Sequence, residues 1–193
     1  MVGAESPLEK EMENERGFEE TQVLVLSHCI LNRATRWWQS GKPIENNLGM
    51  SIRILELLAR LKIGVVQMPC PEFTFCGNPR PPRTRDEYSS LPGFREHCAR
   101  LADETAKYLK SLIENAREPP IRILAIVGVE RSPTCGVKCT PIGRAVDKRY
   151  EKKKGIFIDL LIESLRKMGL EIPTVGIDLD KPEEFAEIVD RLT

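Results

Sequence analysis

From Gln22 onward, short apolar runs alternate with amphipathic stretches, and the two periods predict strands and helices in turn. Val23-Leu24-Val25-Leu26 is apolar without a break, as expected of a strand buried on both faces. A helix is expected after Asn46-Asn47, whose side-chain oxygens suit an N-cap, with Leu48, Ile52, Leu55, Ala59 and Leu61 near three-to-four spacing. Residues 63–68 read as the second strand. Residues 69–92 carry six prolines and hold no period, which predicts a long irregular segment; loops of that length in compact domains are usually functional. The spacing of Phe94, Cys98, Leu101, Thr105, Tyr108 and Leu112 predicts one long helix over 93–116, ended by Pro119-Pro120.

Residues 121–129 form the strongest strand signal, followed by an irregular stretch over 130–155. A helix over 156–168 presents Phe157, Leu160, Leu161, Leu165 and Met168, and Val175-Gly176-Ile177 is a short fourth strand. Asp180 with Glu183 resembles a capping box opening a last helix through Phe185, Ile188, Val189 and Leu192. Strands that alternate with helices make the expected fold α/β: a single-domain, Rossmann-like three-layer sandwich over residues 21–193, with a mostly parallel sheet flanked by helices. Residues 1–20, with seven Glu, one Lys and one Arg, read as an acidic flexible tail without chemistry of its own.

Composition narrows the function classes. In 193 residues, 29 Lys and Arg balance 29 Asp and Glu, so the lysine and arginine surplus that drives general nucleic-acid binding is missing. RNA as a partner gains no support from that balance. No apolar run approaches the roughly 18 residues of a spanning helix, and the acidic start does not read as an export signal. The expected location is cytoplasmic, without a membrane partner.

In a reducing compartment the six cysteines, at 29, 70, 76, 98, 135 and 139, are buried hydrophobes, metal ligands or nucleophiles rather than disulfides. Cys29, Cys70 and Cys135 each follow a predicted strand. In an open parallel sheet the carboxyl ends of the strands share one edge, where ligands bind, so three thiols distant in sequence converge there. Cys98 instead falls on the apolar stripe of the long helix, as a small buried hydrophobe would. Cys76 and Cys139 share loops with Cys70 and Cys135 and are spare candidates. No C-x-x-C occurs, and position 142 is Ile where a radical S-adenosylmethionine spacing from Cys135 and Cys139 needs a cysteine. His28 adjoins Cys29 on chain that directs neighbours to opposite sides, and His97 lies within the long helix, so neither makes a nucleophile pair. Neither nucleotide-binding glycine motif is present. Three thiolates can hold a [4Fe-4S] cluster with one iron lacking a protein ligand, the open position typical of a catalytic metal centre. The opposing possibility is three unconnected buried cysteines.

The surroundings of these cysteines resemble a known family. Ser27-His28-Cys29-Ile30-Leu31-Asn32, then Cys70-Pro71-Glu72 with Gly77 and Pro79-Arg80, then Ser132-Pro133-Thr134-Cys135-Gly136 are similar, in the same order, to the motifs of the 2-thiouracil desulfurases and related proteins. The resemblance spans about 23–136. It implies a desulfurase-like domain in which Cys29, Cys70 and Cys135 bind a [4Fe-4S] cluster and a small thiolated compound is the substrate. It also implies that Glu72 and Ser132 are the acid–base or positioning groups of a non-redox hydrolysis. Arg36-Trp37-Trp38 stands where the family tends to have Arg-Tyr-Asp-Gly, and Gly128-Val129-Glu130 lacks a lysine common before the last motif.

Other roles stay open for the same residues. Glu72 could be a surface carboxylate paired with Arg80 or Arg83, and Ser132 could cap a turn. Trp37 and Trp38 could stack on a flat heterocycle or fill core space. Arg80, Arg83 and Arg85 form a basic cluster suited to an anionic part of the substrate, whereas 148–154 reads as a solvated face. A non-catalytic iron–sulfur electron carrier or sensor needs the cysteines but neither Glu72 nor Ser132. A structural zinc protein would instead use Cys70, Cys76, Cys135 and Cys139.

Overall fold

The structure is a computed structural model that describes residues 20–37 and 48–193. The acidic segment up to residue 19, Trp38 and the expected Asn46-Asn47 cap lie outside the described residues. The elements in chain order are β1 (Thr21–Leu26), α1 (His28–Leu31), a 3-10 turn (Arg33–Thr35), α2 (Ile52–Arg60), β2 (Gly64–Gln67), α3 (Pro71–Cys76) and α4 (Arg85–Ser89). They continue with α5 (Phe94–Asn115), β3 (Ile121–Val129), β4 (Thr140–Ile142), β5 (Arg149–Glu151), α6 (Ile156–Lys167), β6 (Thr174–Ile177) and α7 (Glu184–Asp190). The main sheet has the order β2-β1-β3-β6 with every pair parallel, and β4 and β5 form a separate antiparallel hairpin.

Helices cover both faces of the sheet. On one face Leu24, Leu26, Ala125 and Val127 pack with Ile54 and Leu58 of α2 and with Phe185 and Val189 of α7. On the other, Val25, Ile123 and Ile126 pack with Leu101 and Leu109 of α5 and with Phe157 and Leu161 of α6. Strict alternation along β3 is broken once. Val23 pairs with Ile123 and Leu24 with Ala125, so Leu124 is an extra residue, and the bulge shifts which residues face each layer.

Tertiary packing alters several boundaries read from sequence. Helix α2 begins at Ile52 behind Ser51, and its inward stripe is Ile54 and Leu58, with Ile52, Ala59 and Leu61 exposed. Leu48 lies outside the helix, so a stripe phased on it points away from the sheet. In α5, Leu109 is buried and Tyr108 is 53% exposed. Four turns at 3.6 residues carry the stripe from Phe94 to the boundary between these two, and the phenol, which keeps its polar tip wet, yields to leucine. The proline-rich segment is less irregular than expected because α3 and α4 lie within it, and 130–155 holds the β4–β5 hairpin. The Asp180–Glu183 capping box does not form: Glu183 precedes α7 without a side-chain cap, and Asp180 pairs with Arg131. A reciprocal capping box opens α4 instead, between Thr84 and Glu87. None of the described helices is long and apolar enough to cross a membrane.

The buried faces assign different costs to neighbouring residues. Leu109→Ala and Phe157→Ala are expected to cost about 2–5 kcal/mol each in chemical denaturation, and Tyr108→Ala within about 0.5 kcal/mol. Equal losses at positions 108 and 109 would contradict the helix phase described.

Candidate functional site

The three strand ends set the geometry. The backbone N–H of Ser27 and its hydroxyl both donate to the Val127 carbonyl at 3.0 Å, so the chain leaves β1 tied to β3 and enters α1, where Cys29 lies. The Met68 N–H donates to the Leu26 carbonyl at 2.8 Å, which keeps the end of β2 beside β1. Cys70 then becomes the N-cap residue of α3, with Pro71 at the first helical position, where its fixed φ suits helix entry. Glu72 follows within that first turn. Cys135 lies on the loop after β3, and its carbonyl accepts the Val129 N–H at 3.0 Å. Since β2 lies on one side of the β1–β3 pair and β6 on the other, these loops diverge at a topological switch point, the usual crevice for ligands in such sheets.

Cys29, Cys70, Glu72, Ser132 and Cys135 all line one cavity of about 290 Å³ at that edge. The three thiols are pushed up to about 12. For each, burial is the largest cause. Mutual proximity adds to it: Cys70 raises Cys29, Cys135 raises Cys70, Cys29 raises Cys135, and Glu72 raises all three. The guanidinium of Arg36, also on the cavity wall, acts in the opposite direction on Cys29.

Glu72 is buried, not a surface carboxylate, and its partner is Arg80 rather than Arg83. Its Oε1 accepts the Thr134 hydroxyl at 2.6 Å. Its Oε2 accepts Arg80 Nη2 at 3.3 Å and the Tyr88 hydroxyl at 3.2 Å. Arg80 is buried as well and also donates to the carbonyls of Thr35 and Gly77 and to Asn78 Oδ1. Tyr88 is held by stacking on Phe94 at 4.6 Å between ring centroids. Burial first, and then Glu72, push its phenol above the usual tyrosine range, so it remains a donor. The Ser132 side-chain oxygen accepts the backbone N–H groups of Thr134 and Cys135 at 3.3 and 3.0 Å, so it does cap a turn while also lining the cavity.

The loop that carries Ser132 and Cys135 is pinned at both ends. The carbonyls of Pro133 and Thr134 accept the N–H groups of Ile156, Phe157 and Ile158, so the loop satisfies the otherwise unpaired N-terminus of α6. The Glu130 carboxylate accepts the N–H groups of Lys138 and Cys139. Arg131, in the left-handed region at φ 63°, forks onto Asp178 at 2.6 Å and Asp180 at 3.1 Å.

Several residues are placed differently from the sequence reading. Of the Arg80, Arg83 and Arg85 cluster only Arg80 reaches the cavity, where it serves Glu72; Arg83 lies over the Tyr88 ring and Arg85 bonds the Lys154 carbonyl and Asp159. Arg36, Arg131 and Lys148 supply the other cationic side chains on the wall. Lys148 and Tyr150, within the stretch read as a solvated face, are exposed yet border the cavity through the hairpin. Trp37 borders it too and is 46% exposed, so it does not fill core space. Cys98 is fully buried among Tyr88, Phe94 and Ile156, as its stripe position predicts. Thr134 and Tyr88 were not singled out from the sequence. The only available signal for Thr134 was its place inside the Ser132–Gly136 motif; Tyr88 carried none.

Thiol sulfur is a soft donor suited to iron–sulfur and other soft-metal groups. Arg80, which lines the cavity, has its Nε buried with no partner among the described residues, and its positive charge suits an anionic sulfide-containing group. The four-thiol zinc set is not assembled. Cys76 packs on the Tyr88 cluster and Cys139 is held at Glu130, neither lining the cavity. Among the described residues no three His, Cys, Asp or Glu side chains are placed to hold a single ion. In a cluster each thiolate takes its own iron, so the donors surround a body rather than meet at a point.

An α/β sandwich with three strand-end thiols and a buried carboxylate at its switch point thus defines the class. The chain belongs to the putative 2-thiouracil desulfurase family, whose model matches residues 21–171 and so takes in all three cysteine loops. It is 24% identical over 173 residues to an uncharacterised protein of Methanocaldococcus jannaschii, covering 89% of this chain and 96% of that one. Its fold matches the solved structure of a [4Fe-4S]-dependent thiouracil desulfidase, TudS, with a TM-score of 0.51 and 21% identity over 90% of this chain and 99% of that one.

Gly155 makes a close backbone approach at the site, where an added Cβ would overlap the Thr134 carbonyl and the Cys135 nitrogen. Gly155→Ala is therefore expected to lower stability in chemical denaturation by about 1–3 kcal/mol, since the overlapping atoms are backbone and cannot rotate away. An unchanged midpoint would show that α6 and the Cys135 loop are not in such contact.

Proposed function

We propose that the chain is a [4Fe-4S]-dependent desulfidase that hydrolyses a small thiocarbonyl compound of the thiouracil class to its carbonyl counterpart and hydrogen sulfide. Cys29, Cys70 and Cys135 hold the cluster, and Glu72 and Ser132 act on the reacting atoms. Family membership supports the reaction class. The observation that carries the reading is one cavity lined jointly by three thiols, that of Cys135 buried and those of Cys29 and Cys70 half-buried, and a buried carboxylate.

When bound, a cluster with three protein ligands supplies a Lewis acid at the iron that has none. The chain supplies the rest. Three of the roughly four acceptor positions of the Glu72 carboxylate are filled by Thr134, Arg80 and Tyr88, which leaves one to take a proton from water. The Ser132 oxygen accepts two backbone N–H groups and keeps its own proton, which rests on Thr134 Oγ1 and can turn to the substrate. Trp37 and Tyr150 offer aromatic side chains at the cavity's border, suited to a flat heterocycle.

The test is anaerobic reconstitution, iron and acid-labile sulfide quantification, and sulfide release from 2-thiouracil and 4-thiouracil. Cys29→Ala, Cys70→Ala and Cys135→Ala are expected to lose the brown chromophore and Cys98→Ala to keep it. Glu72→Gln should retain iron while sulfide release falls by about 100-fold or more, the usual scale of a lost general base. Cluster formation without sulfide release would favour the electron carrier or sensor, and zinc without labile sulfide would end the iron–sulfur reading.

A further inference from the structure

We propose that Thr134 is a positioning residue that sets the working face of Glu72 and joins Ser132 to it, a role that rests on the desulfidase reading above. Thr134 is 1% exposed, and its Oγ1 lies 2.6 Å from Glu72 Oε1 and 3.4 Å from Ser132 Oγ. A hydroxyl has one proton to give. The ion-paired carboxylate is an acceptor at 2.6 Å, whereas the Cys135 sulfur is 3.7 Å away, so the proton belongs to Glu72. Thr134 Oγ1 can then only accept from Ser132, which fixes the direction of the chain as Ser132 to Thr134 to Glu72.

The consequence is an asymmetric carboxylate. Among the described residues Oε2 carries both Arg80 and Tyr88 and Oε1 carries Thr134 alone, so the remaining acceptor position lies on Oε1. Removing the Thr134 hydroxyl leaves Oε1 unanchored and deprives the Ser132 proton of its acceptor in one step. Among the described residues the two acting groups, 60 positions apart in sequence, meet through this side chain.

The experiment compares Thr134→Val, which keeps the shape and removes the hydroxyl, with Thr134→Ser, which keeps the hydroxyl, in the reconstituted full chain with 4-thiouracil. Thr134→Val is expected to lower kcat by about 10- to 100-fold, the scale of a misplaced catalytic group, with KM within about threefold and with iron, sulfide and visible absorption unchanged. Thr134→Ser is expected to recover kcat to within about threefold of the unaltered protein, as the same hydrogen bond is restored. Unchanged kcat in Thr134→Val, equal defects in both variants, or loss of iron in Thr134→Val would overturn the proposal; the last would place the hydroxyl in service of Cys135. Absence of sulfide release by the unaltered protein would instead refute the desulfidase reading. The link to Glu72 is then read separately from denaturation midpoints of Thr134→Val, Glu72→Gln and the double variant. Non-additive shifts uphold it, and additive shifts overturn it.

Discussion

The Glu72 carboxylate is the constraint on which the site depends. A carboxylate taken from water is tolerated only when charge and hydrogen bonds replace its hydration, and losing one partner of a buried ion pair typically costs about 3–5 kcal/mol. Its partners come from three places in the chain, and one of them ties in a fourth. Arg80 lies between α3 and α4, Tyr88 on α4, Thr134 on the loop after β3, and Arg80 in turn reaches the Thr35 carbonyl after α1. Satisfying one buried charge therefore brings the loops after all three adjacent strands into register.

Those loops carry the thiols, so the same network that neutralises Glu72 also gathers the sulfurs. Each thiol is disfavoured as thiolate by burial and by its neighbours. The proline-rich segment is organised around the same end: α4 lies there through its Thr84–Glu87 box, and Tyr88 is wedged on Phe94 at the start of α5. The aromatic stack gives the phenol a fixed direction, and the phenol fixes one oxygen of the carboxylate.

The outer wall of the cavity is built differently. Arg131 holds a left-handed backbone against Asp178 and Asp180, and the β4–β5 hairpin contributes exposed Lys148 and Tyr150. The side chains of Lys148 and Tyr150 are exposed, so this wall is the part of the site most able to vary without disturbing the core. The departure from the family pattern at Arg36-Trp37 falls on the same border.

Local information in the chain determined a good deal. Unbroken runs such as Val23 to Leu26 and 121–129 specified strands buried on both faces, because a central parallel strand has no wet side. Their alternation with helical stripes specified the α/β sandwich, and the position of Cys29, Cys70 and Cys135 after strands specified one shared edge. What the chain alone left undecided was every contact made across that edge. The phase of α2 depends on which stripe the sheet accepts, and Leu109 displaces Tyr108 because a core chooses by volume and polarity as well as by period. Asp180 pairs with Arg131 and not with a helix end, a contact between residues 49 positions apart that no local pattern encodes. Thr134 and Tyr88 became part of the site only through folding: hydrogen bonds between residues 62 and 16 positions apart have no period, and three-dimensional proximity alone creates them.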